Sequence, residues 1–430
     1  MTFGKDAFRR DDALLYAVGA AAVTTLVSIR VFEILMAVAL VILIVTRGRW
    51  RVPPVWLPLG LFLVGTLVSL FASAHGDLGH IREGLPQVRK FYVYFMLFLV
   101  TSAVRTVREI RWMAIGWALA ATLSSLWALQ QFFEKYRAAE RAHQNFYTSY
   151  VDARITGFMG HWMTLSAELM MALLVIGALV FFAKERSGII WLVASAVPVS
   201  AALALTWTRS MWLGTLCGGV YLIWYWKRWA LAAVPVLVAG LLVANPLDIR
   251  ERAASALWPH EGQTDSNNHR AELRRIGWEM IKAHPWLGVG AEQVARQYRD
   301  YIRPDMSQPQ ASQYYGHLEN NYLQYAAERG VPTMLALLWV IGWALLDFAR
   351  ALYRLPPGAG ERWVLQAAIA VIVSVLVSGW YSWNLNNSEV LAMFLAVMGS
   401  GYTAMWQVEA RLAKPAGAGT TARFVRQSAQ

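Results

Sequence analysis

Twelve apolar stretches separated by mostly short polar loops restrict this chain more than any other feature of its sequence. They lie near residues 13–29, 31–46, 55–74, 91–104, 112–133, 163–183, 188–206, 210–226, 229–245, 332–349, 363–381 and 388–407. A helix needs about 20 largely apolar residues to cross a bilayer, with a range of roughly 17–25. Backbone polar groups find no water in hydrocarbon, so helices are the natural way for such stretches to cross it. The stretches at 31–46 and 91–104 are short and must borrow flanking residues. The pattern predicts an all-α, polytopic membrane protein with about twelve transmembrane helices and no internal repeat. Only 15% of the 430 residues are charged and 57% are hydrophobic, whereas a soluble domain carries about 25% charged residues. The 21 tryptophans suit a protein with two membrane interfaces to anchor.

Basic residues in the short loops set the orientation. Arg47, Arg49 and Arg51 follow the second stretch, and Arg105, Arg108 and Arg111 the fourth. Lys184 and Arg186 follow the sixth, Lys227 and Arg228 the eighth, Arg350 and Arg354 the tenth, Arg411 and Lys414 the twelfth. Every even-numbered stretch thus exits into a basic loop, which puts both termini in the cytoplasm and the long polar segment after the ninth outside. The expected organisation is residues 1–245 as helices one to nine, 246–331 as a large outer loop containing helices, 332–410 as helices ten to twelve, and 411–430 as a disordered cytoplasmic tail. Lys5, Arg9 and Arg10 ahead of the first stretch resemble a signal sequence. The next apolar run starts at Val31, so an uncleaved first helix of a hairpin is expected. The net charge of +12 is explained by these cytoplasmic loops and calls for no nucleic acid. The single cysteine, Cys217, allows no intramolecular disulfide.

Against the charge trend, Arg30, Arg82, Arg89, Lys90, Arg154 and Arg209 fall on the outer side, near spans. Such a ring of cations suits a polyanion at the membrane surface, such as a lipid diphosphate. Residues 134–162 form a second outer loop, too polar to span. In the large loop, Leu273, Ile276, Gly277, Met280 and Ile281 recur at helical spacing. They predict an amphipathic helix over 271–283, capped by Asn267 or Asn268 and stopped by His284-Pro285. A second helix is predicted over 319–329, ending at Gly330, with Pro332 in the first turn of the tenth span. His317 and Glu319 then lie at a helix start, where free N–H groups favour anions. Asp11-Asp12 reads as a solvated helix start. Glu33, Glu168 and Glu389, in or beside spans, are expected to pair with outer-side arginines.

Four elements resemble a known family. Thr206-Trp207-Thr208-Arg209-Ser210 looks like the Ser/Thr-Arg segment of O-antigen ligases and polymerases. Arg154-Ile155-Thr156-Gly157, with His161-Trp162-Met163-Thr164, looks like their outer-loop arginine element. Arg270, upstream of His284-Pro285 and Gly288-Val289-Gly290, is similar to their large-loop arginine element. His317-Leu318-Glu319-Asn320, with Tyr322-Leu323 and Glu328-Arg329-Gly330, resembles their His-x-His-Asn signature. The resemblance spans about residues 150–335, in the family's order. It implies transfer of polysaccharide from an undecaprenyl diphosphate-linked donor at the periplasmic face of the bacterial inner membrane. For a ligase the acceptor is a lipid A–core sugar hydroxyl, in lipopolysaccharide biosynthesis.

That chemistry needs a base for the acceptor proton and cations for the leaving diphosphate. Arginine fits the second role, since it stays charged and grips phosphate oxygens bidentately. No metal-ligand cluster stands out in the outer loops, so metal-independent, inverting transfer without a cofactor is expected. His317 or Glu319 is the base, because this chain has Glu319 where many members have their second histidine. Arg209 and Arg270 are assigned to catalysis. Arg154, Arg82, His161 and Arg30 are assigned to substrate binding. A monomer in contact with membrane lipids is expected. An O-antigen polymerase or a protein oligosaccharyltransferase would use the same donor. A secondary transporter is the rival of another class, but it calls for repeats and polar groups near the bilayer midplane.

Overall fold

Apolar residues at helical spacing become helices at each of the twelve stretches. The computed structural model describes residues 3–185, 187–244, 250, 254, 266–302, 316–356 and 358–413. In chain order the helices are α1 (Phe3–Thr24), α2 (Ile29–Val45), α3 (Trp56–Ser73), α4 (Leu78–Arg89), α5 (Phe95–Ala103), α6 (Val107–Arg141), α7 (Phe146–Asp152), α8 (Trp162–Phe182) and α9 (Ile189–Leu205). They continue with α10 (Arg209–Trp226), α11 (Ala233–Ala244), α12 (Ser266–Ala283), α13 (Val294–Gln297), α14 (Asn321–Arg329), α15 (Val331–Tyr353), α16 (Arg362–Gly379) and α17 (Ser388–Leu412). The described residues contain no strand. Among the described residues, six helices, α3, α6, α8, α15, α16 and α17, are long and apolar enough to cross a membrane. The apolar part of α1, α9 and the segment 228–240 are shorter apolar helices. The chain is thus an all-α protein with the helices of a multi-pass membrane protein.

Packing supports that reading. α8, α16 and α17 are the most enclosed of the six, and α10 lies against α8 and α16. Close approach there depends on Gly214 and Gly218, one turn apart on α10. A Cβ on Gly214 would meet the Ser374 carbonyl at 2.8 Å, and one on Gly218 would press on the Ser374 hydroxyl and the Ala370 carbonyl. Small residues at this spacing let helices approach within bilayers, where packing rather than hydrophobicity drives association. The outer helices turn apolar stripes outward: Ile34, Val38, Val41 and Val45 on α2, and Leu57, Leu61, Val64 and Val68 on α3. In water such patches would be a liability; in hydrocarbon they are the expected surface.

Several local expectations are corrected. α1 begins at Phe3, so Asp11-Asp12 lies within it. α6 runs to Arg141 as one helix, so the second outer loop is partly helical. α12 begins at Ser266, which puts Asn267 and Asn268 inside the helix and not at its cap. Glu33 accepts from the Tyr92 hydroxyl at 2.5 Å and from no arginine among the described residues, and the Glu168 carboxylate is fully buried with no hydrogen-bond partner. Residues 303–315, most of 245–265 and the tail from 414 lie outside the described residues, and with them the centre of the expected large loop and the tail expected to be disordered.

α12 and α14 pack through a second, smaller apolar cluster of Leu273, Ile276, Met280, Leu318 and Ala326. Next to it, the turn at 285–290 hydrogen-bonds to α14: the Val289 N–H reaches the Ala327 carbonyl at 2.8 Å and the Gly290 N–H the Glu328 carbonyl at 2.9 Å. Gly330, at φ 81°, closes α14, and a Cβ there would strike the Trp286 carbonyl. Ser69 of α3 donates to the Glu328 carbonyl at 2.9 Å, which ties this layer to a helix of membrane-crossing length.

Candidate active site

His317 and Glu319 flank Leu318, which is buried in the cluster between α12 and α14. Were the segment helical, residues two apart would project about 200° apart. Here the chain is not helical until Asn321. With Leu318 turned inward, the residues on either side meet: His317 Nε2 lies 2.8 Å from Glu319 Oε1. Glu319 adopts φ 49°, a left-handed conformation uncommon outside glycine. Asn320 then caps α14, accepting from the Tyr322 and Leu323 N–H groups at 2.9 and 3.0 Å, and donates to the Trp380 carbonyl at 2.8 Å.

A relay of buried side chains holds this segment from below. The Leu318 N–H donates to Gln324 Oε1 at 2.7 Å, and Gln324 Nε2 donates to Glu328 Oε1 at 2.7 Å. Burial pushes the Glu328 carboxyl up to about 7, against the pull of Arg329. Arg329 is itself buried, donating to Thr66 and Gln87 and stacked between Phe62 and Tyr325. The 383–388 turn closes another side. Trp383 lies 5.3 Å from the His317 ring, Asn384 accepts from Asn321 at 2.8 Å, and Asn387 donates to Thr164 of α8 at 3.0 Å.

The ends of α8, α14, α16 and α17 therefore meet around the pair. His161 opens α8, and its Nδ1 accepts from the Met163 N–H at 3.1 Å. Its ring stacks on Trp162, 4.0 Å away, and the Arg154 guanidinium lies 4.9 Å over the Trp162 ring. Gln131 of α6 holds the Arg154 loop by accepting from the Thr156 and Gly157 N–H groups, each at 3.0 Å.

Electrostatics bind the group together. Burial lowers the His317 pKa, but the hydrogen bond and charge of Glu319 outweigh it, with net elevation. Burial raises Glu319, but His317, then Arg270 and His269, bring its carboxyl below the ordinary value. His161 and His269 are lowered, His269 to about 4, chiefly by burial. Both still feel the Glu319 charge, and Arg154 and Arg270 respectively oppose their protonation.

The structure thus brings His317, Glu319, His161, Arg154 and Arg270 into one electrostatic neighbourhood. Arg209 opens α10 behind a left-handed Trp207, which packs on Tyr150 at 4.8 Å. α9 and α10 run in alternation from α8, so Arg209 shares the end at which His161 opens α8. Arg30 and Arg82 are exposed and have no ion pair among the described residues. No contact joins them to the His317–Glu319 pair. The sequence reading missed Trp383, Asn384 and Asn387, although three asparagines in the short loop between the last two spans were a visible signal. It also missed the Gln324–Glu328 relay. Among the described residues, no three His, Cys, Asp or Glu side chains are grouped to hold a metal ion.

Helices of membrane-crossing length thus carry a histidine–carboxylate pair among arginines at one end. Residues 194–338, about a third of the chain, match the family model for O-antigen ligase, which supports membership in the O-antigen ligase and polymerase superfamily. The match supports a function of the ligase or polymerase type. No curated protein matches the chain. The matched segment contains Arg209, Arg270, His317 and Glu319; Arg154 and His161 precede it.

Proposed function

We propose that the protein is an O-antigen ligase of the bacterial inner membrane, crossing it about twelve times with its active site on the periplasmic face. It transfers polysaccharide from undecaprenyl diphosphate to a sugar hydroxyl of lipid A–core. The observation that carries the mechanism is the 2.8 Å contact between His317 and Glu319. With Nε2–H donated to Glu319, the other ring nitrogen, Nδ1, keeps a lone pair for the acceptor proton. The ionised carboxylate fixes the tautomer and raises the basicity of the ring. The acceptor oxygen then attacks the anomeric carbon as the bond to the diphosphate oxygen breaks. The electron pair leaves with the diphosphate, the proton stays on His317, and configuration inverts. Arg209 and Arg270, with Arg154 over its tryptophan, neutralise the departing charge. His161, as a neutral cap, positions α8 beside them.

Abundant arginine supports transfer without a metal, and excess chelator should leave the rate unchanged. Loss restored by a divalent ion would refute that part. The proposed acceptor is tested by supplying purified protein with carrier-linked glycan together with lipid A–core, additional carrier-linked glycan or an acceptor protein. Product on lipid A–core alone supports the ligase. Extension of carrier-linked glycan would identify a polymerase, and modified protein an oligosaccharyltransferase.

A further inference from the structure

Away from the His317–Glu319 pair, α2 and the segment from Arg89 into α5 enclose a groove of about 260 Å³. Glu33, Met36 and Leu40 line one wall, and Arg89, Tyr92 and Leu99 line the other. Side chains three and four apart share a helix face, so each wall is polar at one end and apolar at the other. Among the described residues, Arg89 has no ion pair, and Glu33 is held only by the neutral Tyr92 hydroxyl at 2.5 Å. Two opposite charges thus stand at the mouth of an apolar slot without meeting each other. The rest of α2 presents Ile34, Val38 and Val41 outward, as a lipid-facing helix does.

We propose that this groove holds one zwitterionic phospholipid with a primary ammonium head group. Its ammonium sits on Glu33, its phosphate on Arg89, and one hydrocarbon chain along Met36, Leu40 and Leu99. Arginine favours phosphate oxygens, and a carboxylate favours a hydrogen-bonding ammonium. A purely anionic diphosphate lipid would face repulsion from Glu33 in the same slot. The site also touches the active centre indirectly. Tyr92, which donates to Glu33, also feels the nearby Ser388 hydroxyl. Ser388 ends the turn that carries Trp383 against His317. A lipid seated here braces that turn from the membrane side. None of this depends on which glycan the protein transfers.

Native mass spectrometry of the purified, delipidated protein in detergent tests the site without a transfer assay. The probes are phosphatidylethanolamine, phosphatidylcholine, phosphatidylglycerol and undecaprenyl diphosphate. The wild type should bind one phosphatidylethanolamine about tenfold more tightly than phosphatidylglycerol, in keeping with one charge-assisted contact. Phosphatidylcholine, which cannot donate a hydrogen bond from its head, should bind more weakly. Glu33→Gln should erase the preference, and Arg89→Ala should weaken all three phospholipids. Ala37 is exposed and lines the groove, so Ala37→Trp should fill the slot and abolish binding without disturbing the core. Equal binding of all phospholipids, or retention in Ala37→Trp, would overturn the proposal. Displacement of phosphatidylethanolamine by undecaprenyl diphosphate would overturn it too, and would give the groove to the donor.

Discussion

A non-glycine residue with a left-handed backbone, as at Glu319, costs on the order of 1–3 kcal/mol. The cap made by the next residue, Asn320, offsets about 1 kcal/mol of that. Glu319→Gly should therefore leave thermal stability in detergent unchanged or raise it, while transfer falls sharply. A large loss of stability would show that the His317 contact, and not the backbone, governs folding here. The arginines carry a different expectation. Arg209→Ala and Arg270→Ala should each lower transfer about 10²–10³-fold, the usual cost of losing a donor to developing negative charge. Lysine should restore little, because it lacks the planar fork. Wild-type turnover by either alanine variant would remove that residue from the chemistry. Protonation bears on folding as well. The Glu328 carboxyl, raised to about 7, and the raised His317 both favour the folded state when protonated. Their contributions are complete below their unfolded values and are lost as pH rises through the folded ones. Between pH 6 and pH 8.5 these two groups lower the melting temperature as pH rises, whereas His161 and His269, kept neutral by burial, act in the opposite direction. Glu328→Gln should remove its own part of that lowering, and an unchanged slope would contradict the assignment.

At the scale of elements, adjacent glycines on α10 offer a controlled comparison. Gly218 packs against α16 and α8, whereas a Cβ on Gly219 would meet nothing within 4 Å. Gly218→Ala should destabilise by about 1–3 kcal/mol through overpacking, and Gly219→Ala should be close to neutral. Equal melting temperatures would mean that α10 is not closely docked on α16. The helices themselves were legible in the sequence because apolar run and spacing are local signals. The end of α14 at Gly330 was legible for the same reason. The start of α12 was not: the sequence put the helix over 271–283 with Asn267 or Asn268 as its cap, but the helix already begins at Ser266. The course of α6 to Arg141 was hidden by polar residues that say "not in the membrane" without saying "not helical".

At the scale of the whole molecule, charge in the loops predicts sidedness. After Cys217→Ser, cysteines introduced at the exposed positions Ser187 and Lys282 should react with a membrane-impermeant reagent from opposite sides. Labelling of both from one side would overturn the arrangement. Motif order assigned His317, Glu319, Arg209, Arg270, Arg154, His161, Arg82 and Arg30 to one candidate site; the fold puts His317, Glu319, Arg270, Arg154 and His161 within electrostatic reach of one another, and no contact joins Arg30 or Arg82 to the pair. Motif order could not show that His317 and Glu319 touch, since that follows from Leu318 being buried in a cluster contributed by α12. Nor could it show that Trp383 closes on His317, a contact between distant parts of the chain. The central claim is that this pair deprotonates the acceptor, with His317 as base and Glu319 as its orienting partner. Its most direct test is the pH dependence of single-turnover transfer in wild type, His317→Ala and Glu319→Gln. The wild-type rate should fall as pH drops through a His317 pKa above the ordinary 6.5. His317→Ala should lose about 10²–10⁴-fold, the usual range for a general base. Glu319→Gln should keep a measurable rate with its acid limb moved to lower pH. A Glu319→Gln enzyme as inactive as His317→Ala, or a wild-type acid limb that Glu319→Gln does not move, would contradict the account.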